Sequence, residues 1–357
     1  MESNTFFLIP DISGFTRFVS QTEITHGQHI ISELLEILID ANVLDLTVAE
    51  IEGDAVLFYK KGRIPETSDL LAQAQKMFVN FHQHLKKYQG QRICECGACR
   101  GAGSLSLKII AHAGNSEFIK VKGHQKPYGS DVILVHRLLK NNIPSSEYLL
   151  LSDQLISKEP VKTKEEDYPW LNWVAGSSEY ESLGLVSYHY SSLSDLHETI
   201  PEPEVKPSFT AARPIIVETF IERPRDEVFE IIIDFEQRMK WNQFANRIDY
   251  DPEQLNQVGA KHVCVFDSNT IEFESVKGNF GTDQLVYGEK LLDPPAFIKD
   301  ITIYFIVGHH GEGASVQLQI HYLLKFWGKL MDPILRRKNF KVNTQLLQQL
   351  KEYCENK

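Results

Sequence analysis

The sequence predicts an α+β protein of two domains. Its 357 residues are enough for two separate cores. A stretch with three prolines and alternating charge, Ile200-Pro201-Glu202-Pro203-Glu204-Val205-Lys206-Pro207, reads as a stiff, solvated spacer. Before it, strand and helix signals alternate; after it, a run of strands ends in one long helix. The expected boundaries are residues 1–196 for the first domain, 197–209 for the linker and 210–357 for the second domain.

Taken in order, Phe6-Phe7-Leu8-Ile9 is an apolar run of strand type. Ile30, Ile31, Leu34, Leu35, Ile37 and Leu38 recur at helical spacing and predict an amphipathic helix. Strand character follows over Val48–Tyr59 and Leu105–His112, and helices are predicted over Leu70–Lys87 and Asp131–Asn141. In the second domain Pro214–Ile221 reads as a strand, and Pro224 sits where a helix carrying Val228, Phe229, Ile231 and Ile232 can begin. Strands are predicted at His262–Asp267, Thr270–Val276, Asp283–Glu289, Ile298–Val307 and Ser315–Leu324. A closing helix is predicted from about Phe326 to Tyr353, with Leu330, Ile334, Phe340, Leu346, Leu347 and Leu350 apolar. A curved sheet gripping that helix would leave room for a cavity.

Composition narrows the function. Hydrophobic residues make up 42% and charged residues 24%, as in an ordinary globular chain. A net charge of −11 argues against nucleic-acid binding, since no broad basic face is available to neutralise phosphates. No stretch approaches the ~20 apolar residues that span a bilayer. Met1-Glu2-Ser3-Asn4-Thr5 lacks the basic start of a signal peptide, so the protein is expected to be cytoplasmic.

The most informative residues are Asp11-Ile12-Ser13-Gly14-Phe15-Thr16 and Glu52-Gly53-Asp54. Each aspartate lies where an apolar strand ends or begins, and two carboxylates so placed can hold a divalent metal. Gly14 permits a tight turn, and the run from Thr16 can open a helix whose free N–H groups face an anion. The competing reading of Asp11 alone is a helix cap. Asp131 reads better as a cap than as a ligand, and His112 and His136 as satisfied structural histidines.

With these blocks in place, the first domain resembles the catalytic domain of class III nucleotidyl cyclases. The likeness rests on Asp11–Thr16, on Glu50-Ile51-Glu52-Gly53-Asp54, and on Lys108-Ile109-Ile110-Ala111-His112-Ala113-Gly114 followed by Tyr128-Gly129-Ser130-Asp131-Val132 and Arg137. The resemblance implies a ferredoxin-like α/β cyclase-type domain and a homodimer, with the site at the dimer interface. It implies that Asp11 and Asp54, with the backbone carbonyl of Ile12, hold Mg2+ or Mn2+, two ions per site in an active enzyme. It implies that the backbone of Ser13, Gly14, Phe15 and Thr16 cradles phosphate and that Arg137 stabilises transition-state charge. Glu50 and Lys126 occupy the base-reading positions. The sequence departs from the pattern at Ile133, where the family carries a ribose-orienting asparagine, and at Lys126; Glu50 and Lys126 could pair with each other instead. An isoleucine cannot hydrogen-bond a ribose, and such a lost contact costs ~1–3 kcal/mol.

Cys94-Glu95-Cys96-Gly97-Ala98-Cys99 packs three thiols into six residues, a spacing that can grip structural Zn2+ with a fourth ligand such as His82, His84 or a residue of a partner chain. The alternative is a hairpin with incidental thiols. Cys264 and Cys354 are isolated and read as packed.

The second domain resembles the START-related helix-grip (SRPBCC, polyketide cyclase-like) superfamily. The resemblance rests on Val217–Ile221, on Pro224-Arg225-Asp226-Glu227-Val228-Phe229, on Trp241, and on the closing helix near Gly328–Leu335. It implies a cavity for an apolar small molecule, lined by Phe266, Phe273, Tyr287, Tyr304, Phe305 and Tyr322. No acid–base pair or metal cluster is visible in the sequence of this domain.

Two functions follow as expectations. The first is a divergent nucleotidyl cyclase-like signalling protein that binds a metal–nucleoside triphosphate and is coupled to an apolar-ligand-binding domain. The second is a catalytically inactive sensor or binding protein that keeps the cyclase-like fold for dimerisation.

Overall fold

The structure is a computed structural model that describes residues 4–22, 24–94, 96–122, 124–160, 167–203, 209–251, 257–267, 269–281 and 283–357. Residues 204–208 of the expected linker and Glu95 of the cysteine block lie outside the described residues. The chain divides into two compact units, Met1–Gln89 with Arg100–Pro203, and Gly90–Cys99 with Glu204–Lys357.

Through the first 200 residues the elements are β1 (Asn4–Ser13), α1 (Phe15–Gln21), α2 (Ile24–Asp40), β2 (Thr47–Glu52), β3 (Ala55–Lys61), α3 (Thr67–Gln91) and α4 (Gly97–Gly101). They continue with β4 (Ser106–Asn115), β5 (Glu117–Val121), β6 (His124–Tyr128), α5 (Ser130–Leu138), β7 (Tyr148–Ser152), α6 (Asp153–Lys158), β8 (Val174–Tyr180) and β9 (Gly184–Ser192). A short 3-10 helix, Ser194–Thr199, takes up the start of the expected linker. Seven strands form one sheet in the order β2-β3-β1-β4-β7-β9-β8, in which β4 and β7 are parallel.

β1 is the centre of the half that matters here. Buried from Thr5 to Ile12, it pairs antiparallel with β3 on one side and β4 on the other. Alternation sends Phe7, Ile9 and Asp11 to one face. There Phe7 and Ile9 pack with Leu134, Val135 and Leu138 of α5 in a single buried cluster. The expected strand Val48–Tyr59 is in fact a hairpin: β2 and β3 are joined by Gly53 and Asp54 alone. Gly53 has φ +61, a left-handed conformation that a glycine adopts without strain.

The second unit continues with β10 (Ile215–Ile221), α7 (Arg225–Ile233), α8 (Phe235–Trp241), β11 (Arg247–Tyr250), β12 (Lys261–Val265), β13 (Thr270–Val276), β14 (Leu285–Leu291), β15 (Ile298–His310), β16 (Gly313–Leu324) and α9 (Asp332–Asn356). These seven strands form one antiparallel sheet in the order β10-β16-β15-β14-β13-β12-β11. α9 lies against β10 and β16, as the expected helix-grip arrangement requires. Both units are therefore α+β, as the sequence predicts.

The closing helix differs from expectation at its start. Phe326–Met331 is a 3-10 segment and the α-helix begins at Asp332. α9 buries Asn343, Leu347, Leu350 and Cys354, whereas Leu330, Ile334 and Phe340 are exposed at 90%, 65% and 53%. The buried side chains of the helix thus lie from Asn343 onward. The six aromatics expected around one cavity also divide. Tyr287 and Phe305 are cross-strand partners on one face, with Arg238 of α8 over both rings, and Phe273 packs with Phe235 of α8. Tyr304, one residue along from Phe305, points to the other face, where it meets Phe280 and His321.

Candidate functional site

Strand register brings the two aspartates to the same end of the sheet. Asp11 pairs with Ala55 on β3 and with Lys108 on β4, so Asp54 sits one residue beyond Asp11's partner. The Ile12 N–H donates to the Asp54 carbonyl at 2.8 Å, which pins the hairpin turn to the end of β1. Asp11 is buried and Asp54 is half-buried. Burial, and then the negative charge of Asp11, push the Asp54 carboxyl above its ordinary range. Two neighbouring carboxylates form a donor set suited to a hard dication. A lysine already offsets part of that charge: Lys108 Nζ lies 3.0 Å from Asp11 Oδ2 and donates to the Leu139 carbonyl at 3.3 Å.

The turn expected to cradle phosphate follows directly. Ser13 ends β1, Gly14 adopts φ +89, and Phe15 and Thr16 open α1. A Cβ at Gly14 would come within 3.4 Å of the Ser104 carbonyl oxygen, so the close approach and the left-handed backbone both call for glycine here. The Phe15 ring lies over Gly53, 3.9 Å from where a Cβ would stand, which brings this turn beside the hairpin turn bearing Asp54. α1 has only seven residues, so backbone N–H groups of the turn are a better anion donor here than a helix dipole.

The other expected residues divide. Ile133 and Arg137 lie one helical turn apart on α5 and both are exposed, Ile133 at 56%. Glu50 on β2 and Lys126 on β6 pair with each other at 3.6 Å, both about half-exposed, which is the pairing foreseen from the sequence. Asp131 holds α5 to β4: it accepts from the Asn115 N–H at 2.7 Å and lies 3.3 Å from His112 Nε2. The His112 hydrogen bond, opposed by burial, leaves the Asp131 carboxyl below its ordinary range. His112 is buried, and its Nδ1 lies 2.8 Å from Ser152 Oγ. Both residues therefore have structural roles. His136 faces Glu52 at 3.3 Å.

Cys94, Cys96 and Cys99 bring their sulfurs within 4.8 Å of one another. The Cys96 N–H lies 3.4 Å from Cys94 Sγ and the Cys99 N–H 3.4 Å from Cys96 Sγ, the N–H···S pattern of a tight turn. Cys94 Sγ also lies 3.6 Å from Glu230 Oε1 on α7. His82 and His84, suggested above as a fourth ligand, each lie near a carboxylate instead. His84 Nε2 lies 2.9 Å from Glu33, and His82 lies 3.3 Å from Glu147.

One cluster was not visible in the sequence. In the second unit Arg238 and Glu289 form a buried ion pair, and Tyr287 Oη donates to the same Glu289 oxygen at 2.9 Å. His262 Nε2 lies 3.2 Å from it. Arg238 Nε donates to the Ile232 carbonyl at 3.1 Å, and its guanidinium covers the Tyr287 and Phe305 rings at 5.2 and 5.3 Å. Burial would raise the Glu289 pKa, but the charge of Arg238 and the His262 contact hold it well below the usual range. This ionic cluster belongs to the buried core of the unit. Glu289 alternates with Tyr287 and Leu291 on the buried face of β14, and that is the one sequence signal that could have found it.

These features define a two-unit α+β protein whose first unit presents paired aspartates at a strand end. Residues 31–148 match the family model described as a protein of unknown function (DUF2652). The chain is 33% identical over 174 residues to the uncharacterized protein Rv2561/Rv2562 of Mycobacterium tuberculosis, spanning 48% of this chain and 78% of that one. It belongs to the family of that mycobacterial protein.

Among solved structures, the guanylyl cyclase Cya2 aligns with 54% of this chain and 94% of its own, at 14% identity and a TM-score of 0.39. The guanylate cyclase domain of RhGC from Catenaria anguillulae, in complex with GTP, aligns with 54% of this chain and 96% of its own, at 18% identity and a TM-score of 0.38. The major latex-like protein 151 of Panax ginseng aligns with 40% of this chain and 97% of its own, at 17% identity and a TM-score of 0.33. No helix among the described residues is long and apolar enough to cross a membrane.

Proposed function

We propose that the first unit binds a nucleoside triphosphate as its Mg2+ or Mn2+ complex and, as a cytoplasmic homodimer, converts it to a 3′,5′-cyclic nucleotide and pyrophosphate. The observation that carries the reading is the placement of Asp11 on β1 near Asp54 in the turn that leads into β3, pinned by the Ile12–Asp54 backbone hydrogen bond. In this reading the two carboxylates and the Ile12 carbonyl hold the metal, which supplies charge neutralisation for the triphosphate. The backbone of Ser13–Thr16 binds phosphate, and Arg137, exposed on α5, reaches the α-phosphate. Lys108, bound to Asp11, must share or yield that carboxylate when a metal enters. The second unit holds an apolar small molecule and passes its presence to the first.

A specific observation favours a second reading, binding without turnover. Ile133 is exposed where the resembled family carries its ribose-orienting asparagine, and Glu50 and Lys126 pair with each other. The cysteine cluster is proposed as a structural Zn2+ site in either reading, on the gathering of its three sulfurs.

The test is incubation of the purified chain with ATP or GTP and Mn2+ or Mg2+, with mass-spectrometric detection of cyclic product beside an Asp54→Ala chain. Product that vanishes in the variant supports catalysis. Metal-dependent binding with no product selects the second reading, and neither product nor binding overturns both. Native mass spectrometry of the same preparation reports whether an apolar molecule copurifies.

A further inference from the structure

A second group of metal-type donors lies in the first unit. His82 on α3, Glu147 just before β7 and His197 in the 3-10 helix Ser194–Thr199 place one donor atom each within 4.8 Å of the others. His197 Nε2 lies 3.1 Å from each Glu147 carboxylate oxygen. His82 Nε2 lies 3.3 Å from Glu147 Oε1 but outside hydrogen-bonding geometry, so this buried nitrogen has no hydrogen-bond partner. His82 is 6% exposed.

From these positions we propose that His82, Glu147 and His197 bind a divalent transition-metal ion of the zinc type. Tetrahedral geometry supports this. With metal–nitrogen and metal–oxygen bonds of about 2.0–2.1 Å, neighbouring donors stand ~3.3 Å apart. The 3.1 and 3.3 Å separations already match that edge. An ion would also satisfy the unpartnered His82 Nε2, which the rearrangement of a single proton between His197 and Glu147 does not.

The surroundings hold the donors in place. Phe78 packs on both imidazoles, with ring centroids 4.3 Å from His82 and 5.2 Å from His197. Ser194 Oγ donates to Glu147 Oε2 at 3.1 Å, and the Leu193 N–H donates to the Glu147 carbonyl at 3.2 Å. These contacts orient the carboxylate, the role that outer-shell partners play at metal centres. Two imidazoles and one carboxylate favour zinc, cobalt, nickel or iron over magnesium. Three protein donors leave one position for water, and the His197 side chain is 41% exposed, so solvent reaches it.

The experiment is titration of the metal-stripped full chain with Co2+, read by its visible spectrum, and with Zn2+, read by calorimetry. The chain carries Asp54→Ala and Cys94→Ser, Cys96→Ser and Cys99→Ser, which removes the other candidate donors. One equivalent of Co2+ should bind without a thiolate charge-transfer band. Adding His197→Ala should weaken that binding by at least ~10-fold. Glu147→Gln, which conserves volume, should do the same. The otherwise native chain provides a second measurement: His197→Ala should remove one equivalent and leave any thiolate band intact. An absence of cobalt binding in the stripped chain, or unchanged binding in both the His197 and Glu147 variants, overturns the proposal.

Discussion

Removing Arg238 should destabilise the second unit severely, and removing its ionic partner as well should restore most of the loss. Glu289 is 5% exposed and the ion pair with Arg238 supplies the charge that balances it. Arg238→Ala leaves that carboxylate with the Tyr287 hydroxyl and His262. A buried charge stripped of its partner costs ~3–5 kcal/mol, because desolvation is no longer offset. In a unit of this size each kcal/mol moves the midpoint by about 2–4 °C, so the shift is on the order of 10 °C. Replacing both residues by apolar ones, Arg238→Met with Glu289→Leu, removes the charges together and should lie within about 2 kcal/mol of the native chain. The assay is a urea titration followed by hydrogen exchange of β14 peptides, which reports this sheet alone. A loss under ~1 kcal/mol in Arg238→Ala, or a double variant as unstable as the single, would refute this account of the cluster.

Further predictions follow from the same geometry. Glu33 is opposed by burial but held well below its ordinary 4.5 by hydrogen bonds with His29, His84 and Tyr88. Its stabilisation is therefore complete above that ordinary value and drains away as pH falls below it. Glu33→Gln should flatten the acid limb of a stability–pH curve, and an unchanged limb would contradict the assignment. Gly114→Ala should loosen α5 from β4, because the new Cβ would stand 2.2 Å from Asp131 Cγ; exchange of α5 amides should rise, and native-like protection would count against the Asp131 tether. The cysteine cluster should bind about one Zn2+ that Cys96→Ser releases; equal zinc content in variant and native chains by elemental analysis would remove that site.

Much of the first site was legible because its residues are local. Asp11 and Asp54 flank apolar strands, and Gly14 and Gly53 mark the turns that re-aim them, at φ +89 and +61. α2 and α3 were legible from apolar periodicity, although each runs beyond the residues that reveal it. The hairpin was missed because its turn is two residues long and both flanks are β-formers, so Val48–Tyr59 reads as one strand. β8 was missed because Val174–Tyr180 is mostly polar and exposed, held by its ladder to β9 rather than by propensity.

The clusters left unread are non-local. Arg238 stands among Glu236, Gln237 and Lys240, and nothing along the chain distinguishes it as the one that faces inward. Glu289 meets it only through the pairing of β14 with β13 and β15. His82, Glu147 and His197 come from three elements with no shared motif, so only the fold brings them together.

The most direct measurement of the central claim is Mn2+ binding by paramagnetic resonance, with and without a non-hydrolysable nucleoside triphosphate, in the native chain and in Asp11→Asn. The native chain should bind Mn2+ more tightly when nucleotide is present, and the isosteric variant should lose that gain. Equal Mn2+ affinity in the two chains, with nucleotide present, would contradict it.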